Sequence, residues 1–118
     1  MAKAAIVLLA DTETHADLGR ATNALVTVEE FAEQGDEVTL IFDGAGTRWA
    51  AELVKEESKL HPAFAKIQDK VAGACHYCAG AFEVREELEA SDVPLLREHR
   101  GHPSLRGLVA DGCEVITF

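Results

Sequence analysis

The sequence predicts a three-layer α/β/α sandwich built on a mostly parallel sheet of four or five strands. Three observations lead there. Apolar runs of strand length recur along the chain, helix-period segments fill the intervals, and glycines stand where helices would end. Strands alternating with helices imply parallel pairing and right-handed crossovers. The 118 residues suit one domain spanning 1–118, and a hydrophobic content of 47% is enough to bury a substantial core.

Residues Ala4–Ala10 (AAIVLLA) form a continuous apolar run, as expected of a strand covered on both faces. From about His15 the period changes: Leu18, Ala21, Leu25, Val28 and Phe31 recur at three- and four-residue steps and share one helix face. Gln34-Gly35 ends that helix, with glycine at the left-handed cap position. A second strand follows at Glu37–Asp43, then Gly44-Ala45-Gly46-Thr47 turns into a helical stretch carrying Trp49, Leu53 and Val54. Glu56–Leu60 reads as a loop. Pro62–Asp69 reads as a short helix with Phe64 and Ile67 inward, since proline is tolerated in a first turn. Val71–Ala74 is a weak third strand interrupted by Gly73, and Ala79–Ala90 reads as one helix. Val93–Leu96 contains Pro94, which places a short strand at a sheet edge or a strand start. Pro103–Asp111 makes a final helix capped by Gly112, before a last strand at Glu114–Phe118.

Composition narrows the function classes. The net charge is −10, from 21 acidic and 11 basic residues, with no basic stripe of the kind that neutralises nucleic-acid phosphates. No apolar run approaches the roughly 20 residues of a membrane span, and no leader with a cleavage region is recognisable. The expectation is a cytoplasmic protein binding neither nucleic acid nor membrane. Three cysteines in such a chain do not form a disulfide scaffold.

Two of them make Cys75-His76-Tyr77-Cys78. In an open parallel sheet, ligands bind outside the carboxyl ends of the strands. That rule selects the loops at Asp11–His15, Asp43–Arg48 and Cys75–Cys78, which would converge on one rim. A cysteine between a strand end and the first turn of a helix gains thiolate character from unpaired N–H groups and the positive dipole end. Thiolate is the form that attacks persulfides and disulfides, and His76, if protonated, reinforces it. The competing reading is two small residues packing at a strand end. A zinc site is not expected, because no second ligand pair with metal spacing accompanies the first. Cys113 falls at the opposite rim, on the order of 15 Å away across a five-residue strand, and reads as a core residue.

CHYC and Val93-Pro94 mimic a glutaredoxin-like pattern. The interval between Cys78 and Val93 holds a helix and little else, too short for a thioredoxin arrangement. Gly44 and Gly46 open a helix and offer an anion cradle, or simply a tight turn. Asp11 and Asp43 end strands, where each serves as an acid–base group or caps its own turn. His99 and His102, flanking Arg100-Gly101, read as solvated loop residues.

The chain resembles the DsrE-like sulfur-relay family over nearly its whole length, from IVLLADTE through VTLIFDGAGT to GCEVITF. The strongest likeness is Cys78-Ala79-Gly80-Ala81, a cysteine after the third strand followed by small residues opening a helix. The resemblance implies that Cys78 accepts sulfur as a persulfide and passes it to a partner protein, a sulfurtransferase-type carrier without cofactor. It also implies a homo- or hetero-oligomer. Cys75 departs from the family's single cysteine, and its thiol would let the pair release sulfide and close a disulfide, making a redox switch. In that picture Cys75, Cys78 and His76 carry the chemistry, while Asp11, His15, Asp43, Gly44 and Gly46 shape the pocket rim. The other class of function is a non-catalytic module that binds a small ligand or partner at the same rim.

Overall fold

A computed structural model describes residues 1–118. Five parallel strands make one sheet in the order β4-β3-β2-β1-β5. They are β1 (Lys3–Leu8), β2 (Glu37–Phe42), β3 (Val71–Cys75), β4 (Leu95–Leu96) and β5 (Glu114–Thr117). Strand β1 lies between β2 and β5, and every residue from Ala4 to Leu8 is buried, which is why the run is apolar without alternation.

The helix α1 (His15–Glu33) starts on a capping box. Thr14 Oγ1 accepts from the Asp17 amide at 3.1 Å, and the Asp17 carboxylate accepts from the Thr14 amide at 3.1 Å. Gly35 ends it with φ 77°. A 3₁₀ turn at Gly44–Gly46 leads into α2 (Thr47–Leu53), and α3 (His61–Lys66) follows with Phe64 inward. Beyond β3 come α4 (His76–Ala81) and α5 (Arg85–Glu89), then α6 (Leu105–Ala110) before the last strand.

The strand order explains the three layers. From β1 to β4 the chain steps in one direction, so right-handed crossovers put α1 to α5 on one face. The step from β4 back to β5 runs the opposite way and carries α6 across the other face. Ile6, Leu8, Leu40, Phe42 and Ala74 point at the first layer and form its core with Ala21, Leu25, Val28, Leu53 and Phe64. Pleat alternation sends Ala5, Val7, Ile41 and Cys75 to the other face, where they are also buried. Each fully buried Leu, Ile or Phe contributes roughly 1.5–3 kcal/mol. No helix is long and apolar enough to cross a membrane.

Two elements differ from expectation, both around the cysteines. Cys75 is the last residue of β3 and not a loop residue. The single helix expected over Ala79–Ala90 is broken in two at Glu83, whose φ is 62°. The break is a Schellman turn: the Val84 amide reaches the Ala79 carbonyl at 2.8 Å and the Glu83 amide reaches that of Gly80 at 3.1 Å. Val84 and Ala79 are both buried in the core, and Glu83 takes a conformation that glycine ordinarily supplies.

Candidate functional site

Four segments meet at the carboxyl rim of β2 and β3. Asp43 follows β2, Cys75 ends β3, Cys78 lies in the first turn of α4, and His102 belongs to the chain between β4 and α6. One ligand atom from each lies within 4.8 Å of all the others. Cys75 Sγ is 3.2 Å from His102 Nδ1, and the Cys78 thiol donates to Asp43 Oδ1 at 3.6 Å. Cys75 also caps α4: its sulfur accepts from the Cys78 amide at 3.4 Å, the role serine or threonine usually takes.

His102 arrives on a tight hairpin. His99 and His102 exchange both backbone hydrogen bonds, at 2.9 and 2.8 Å. Arg100 and Gly101 between them have φ 52° and 84°, positive at both central positions as a type I′ turn requires. The turn docks on α4 where the Tyr77 amide donates to the Gly101 carbonyl at 2.8 Å. The Tyr77 ring covers the His102 ring with centroids 4.8 Å apart. His102 is therefore a site residue and not the solvated loop residue the sequence suggested. The signal available was the pair His99/His102 around Arg-Gly, a hairpin signature whose destination no local pattern reveals.

The two thiols differ. Cys75 is fully buried and Cys78 is half-buried. Burial pushes the Cys75 thiol up to about 12, opposite to the activation expected of a helix start. Lost hydration outweighs the Cys78 amide hydrogen bond that its sulfur accepts, and the neighbouring Cys78 thiol and Asp43 charge push the same way as burial. His76 makes no hydrogen bond to either thiol; burial and the cations Arg97 and Arg85 lower its pKa, which disfavours its protonated form. The imidazole that lies beside the thiols is that of His102, not His76.

The remaining predicted rim residues lie outside the cluster. Asp11 Oδ1 accepts from the Thr12 amide at 2.7 Å and from Arg48 at 2.9 Å, and these two donors hold its carboxyl below the usual carboxylate range. Trp49 donates its ring N–H to the Asp11 carbonyl at 2.6 Å, which ties this loop to α2. His15 is exposed in the first turn of α1 and stands outside the four-residue cluster. The Gly44 amide is taken by the Asp43 carboxylate at 2.8 Å and that of Gly46 by the Asp43 carbonyl at 2.8 Å, so this turn is no anion cradle. Gly46 is glycine for another reason: a Cβ there would collide with the Leu8 carbonyl. Cys113 lies at the opposite rim, in a hollow with Lys3, Glu37 and Asp111, and is partly exposed where a core residue was expected.

Over 94 residues the chain is 33% identical to the uncharacterized protein MJ0733 of Methanocaldococcus jannaschii, covering 80% of this chain and 76% of that protein. This chain belongs to the same family as that protein. No protein-family model matches it. Its fold is similar to that of BT1422 from Bacteroides thetaiotaomicron, a conserved protein of unknown function. The TM-score is 0.64 at 13% identity, over 97% of this chain and 94% of that one, a likeness of fold alone.

Proposed function

We propose that the chain is a cytoplasmic sulfur-handling protein of the DsrE-like kind, carrying persulfide sulfur on Cys78 with Cys75 as the resolving thiol. One observation carries the reading: a reachable thiol and a buried thiol stand within 4.8 Å of each other on the sheet rim where α/β folds place their chemistry. The unequal burial orders their roles. Cys78 meets the donor first, and Asp43 Oδ1 stands as the acceptor of its proton. The Cys78 thiolate attacks the outer sulfur of a sulfane donor, such as a persulfide on a partner protein. The donor's S–S bond breaks, its thiolate leaves, and Cys78 holds the new persulfide. Delivery reverses the exchange onto an acceptor thiol. Attack by Cys75 on the inner sulfur instead expels hydrosulfide and leaves a Cys75–Cys78 disulfide, which a reductant must reopen. His102, 3.2 Å from Cys75 Sγ, is placed to take the Cys75 proton in that step. A homo-oligomer or a donor–acceptor complex would bring the partner to this rim.

Intact-protein mass spectrometry after incubation with polysulfide tests the reading, with Cys75→Ala and Cys78→Ala beside wild type in chelator-treated samples. Gain of one sulfur by wild type and Cys75→Ala, absent in Cys78→Ala, is the expected result. Unchanged loading of Cys78→Ala would overturn the assignment. Loss of two hydrogens in wild type with no sulfur gain in Cys75→Ala would replace the carrier with a dithiol switch, because Cys75→Ala cannot resolve a persulfide once loaded.

A further inference from the structure

We infer that Asp43, Cys75, Cys78 and His102 form a binding site for one thiophilic divalent cation, with Zn²⁺ as the best match. The donor set is two sulfurs, one imidazole nitrogen and one carboxylate oxygen, drawn from four segments and gathered within 4.8 Å. Thiolate and imidazole ligands select zinc and softer metals over magnesium or calcium, which take oxygen donors.

The dimensions fit. Zinc bonds of about 2.3 Å to sulfur and about 2.0–2.2 Å to nitrogen or oxygen give donor–donor edges of roughly 3.3–3.8 Å in a tetrahedron. The edges Cys75 Sγ–His102 Nδ1, at 3.2 Å, and Cys78 Sγ–Asp43 Oδ1, at 3.6 Å, are already near that size. The widest separation, no more than 4.8 Å, has to close by only about 1 Å. Chi rotations of Asp43 and Cys78, both half-buried, supply such a movement without displacing a strand.

The surroundings orient the ligands as the outer shell of a metal site does. The Gly44 amide holds the Asp43 carboxylate at 2.8 Å, and the Cys78 amide points at the Cys75 sulfur. Tyr77 packs on the His102 ring, and the hairpin that carries this histidine is pinned to α4 through Gly101. Cys-x-x-Cys is half of a zinc site by spacing. The second half comes from residues 32 positions before Cys75 and 24 positions after Cys78, brought in by the sheet order and the hairpin.

Metal binding here does not depend on the sulfur-carrier reading. Where both hold, they deepen one another: a cation that ties up both sulfurs excludes persulfide loading, so metal occupancy regulates the carrier.

The test uses the untagged full chain, freed of metal by chelator and reduced. Zn²⁺ uptake is measured by competition with a chromophoric chelator, and Co²⁺ is added in parallel to reveal thiolate-to-metal charge transfer. The expected result is one equivalent bound, with sulfur–cobalt bands. Cys78→Ser and His102→Ala should each weaken binding by at least about tenfold, while Cys113→Ser and His76→Ala should leave it unchanged. His102→Ala alters only a hairpin side chain, and circular dichroism confirms that each variant is folded. Absence of stoichiometric uptake by wild type, or uptake unchanged in both Cys78→Ser and His102→Ala, would overturn the site. Failed zinc uptake with sulfur loading intact removes the metal site alone; failed loading of chelator-treated protein with zinc uptake intact removes the carrier alone.

Discussion

Cys75 should be a slow nucleophile, by an amount that follows from its environment. Its thiol is buried against the second layer and pushed up to about 12. At pH 8 such a thiol is thiolate in about one molecule in ten thousand, against about a quarter for an ordinary cysteine of pKa ~8.5. That is a deficit of about two thousandfold. A more basic thiolate is intrinsically more reactive, by about 25- to 55-fold over this interval with a Brønsted slope of 0.4–0.5. Scarcity of thiolate therefore wins, and alkylation should be roughly 40- to 100-fold slower than at an unfolded cysteine, before hindered access slows it further. Peptide-resolved mass spectrometry of iodoacetamide-treated, metal-free, reduced protein measures this, with a urea-unfolded sample as the reference. The same shift makes stability depend on pH. The folded state retains a proton that the unfolded state loses above about pH 8.5, so unfolding free energy should fall by up to about 1.4 kcal/mol per pH unit from there toward pH 12. Replacing Cys75 with alanine should remove that slope. Alkylation of Cys75 in the folded protein as fast as in the unfolded reference, with an unchanged slope in Cys75→Ala, would refute the reasoning.

Three further outcomes follow from the same structure. Gly46→Ala drives a methyl group into the Leu8 carbonyl, and urea unfolding should show a loss of at least about 1–3 kcal/mol; a neutral substitution would mean that the turn is not held against β1. Phe64→Ala empties a position buried under the sheet beside Phe42, with ring centroids 6.4 Å apart, and should cost about 3–5 kcal/mol in equilibrium unfolding. The lowered Asp11 carboxyl contributes stability that is present above the unfolded carboxylate's pKa of about 4 and lost as pH falls through the folded value. Arg48→Ala should therefore remove part of the Asp11 contribution to the acid limb of a melting-temperature profile, the Thr12 amide keeping the rest, and an unchanged limb would show that the pair is inert.

Much of the fold was legible because it rests on local patterns. The unbroken run at β1 announced a strand covered on both faces, and the three- and four-residue steps of α1 with Gly35 at its end marked that helix closely. Pro94 pointed to a sheet edge or a strand start, and the strand that follows it, Leu95–Leu96, lies at the edge. The split of α4 from α5 was invisible, since a Schellman turn is usually advertised by glycine and here Glu83 takes its place under tertiary packing. In the site, Asp43, Cys75 and Cys78 were found by the rule that active rims lie at carboxyl strand ends. His102 was not, because its only local signature is a hairpin turn.

By itself, then, the sequence determined the order of strands and helices and which rim carries the thiols, since periodicity, caps and strand ends are properties of neighbouring residues. The tertiary structure alone decided which histidine stands beside those thiols. It also decided that Cys75 is suppressed by burial and not activated by a helix start, and that two distant residues complete a four-ligand cluster. Each of these depends on lost solvent and on distances between segments far apart in the chain, and those quantities come into being only when the β4-β3-β2-β1-β5 order brings the segments together.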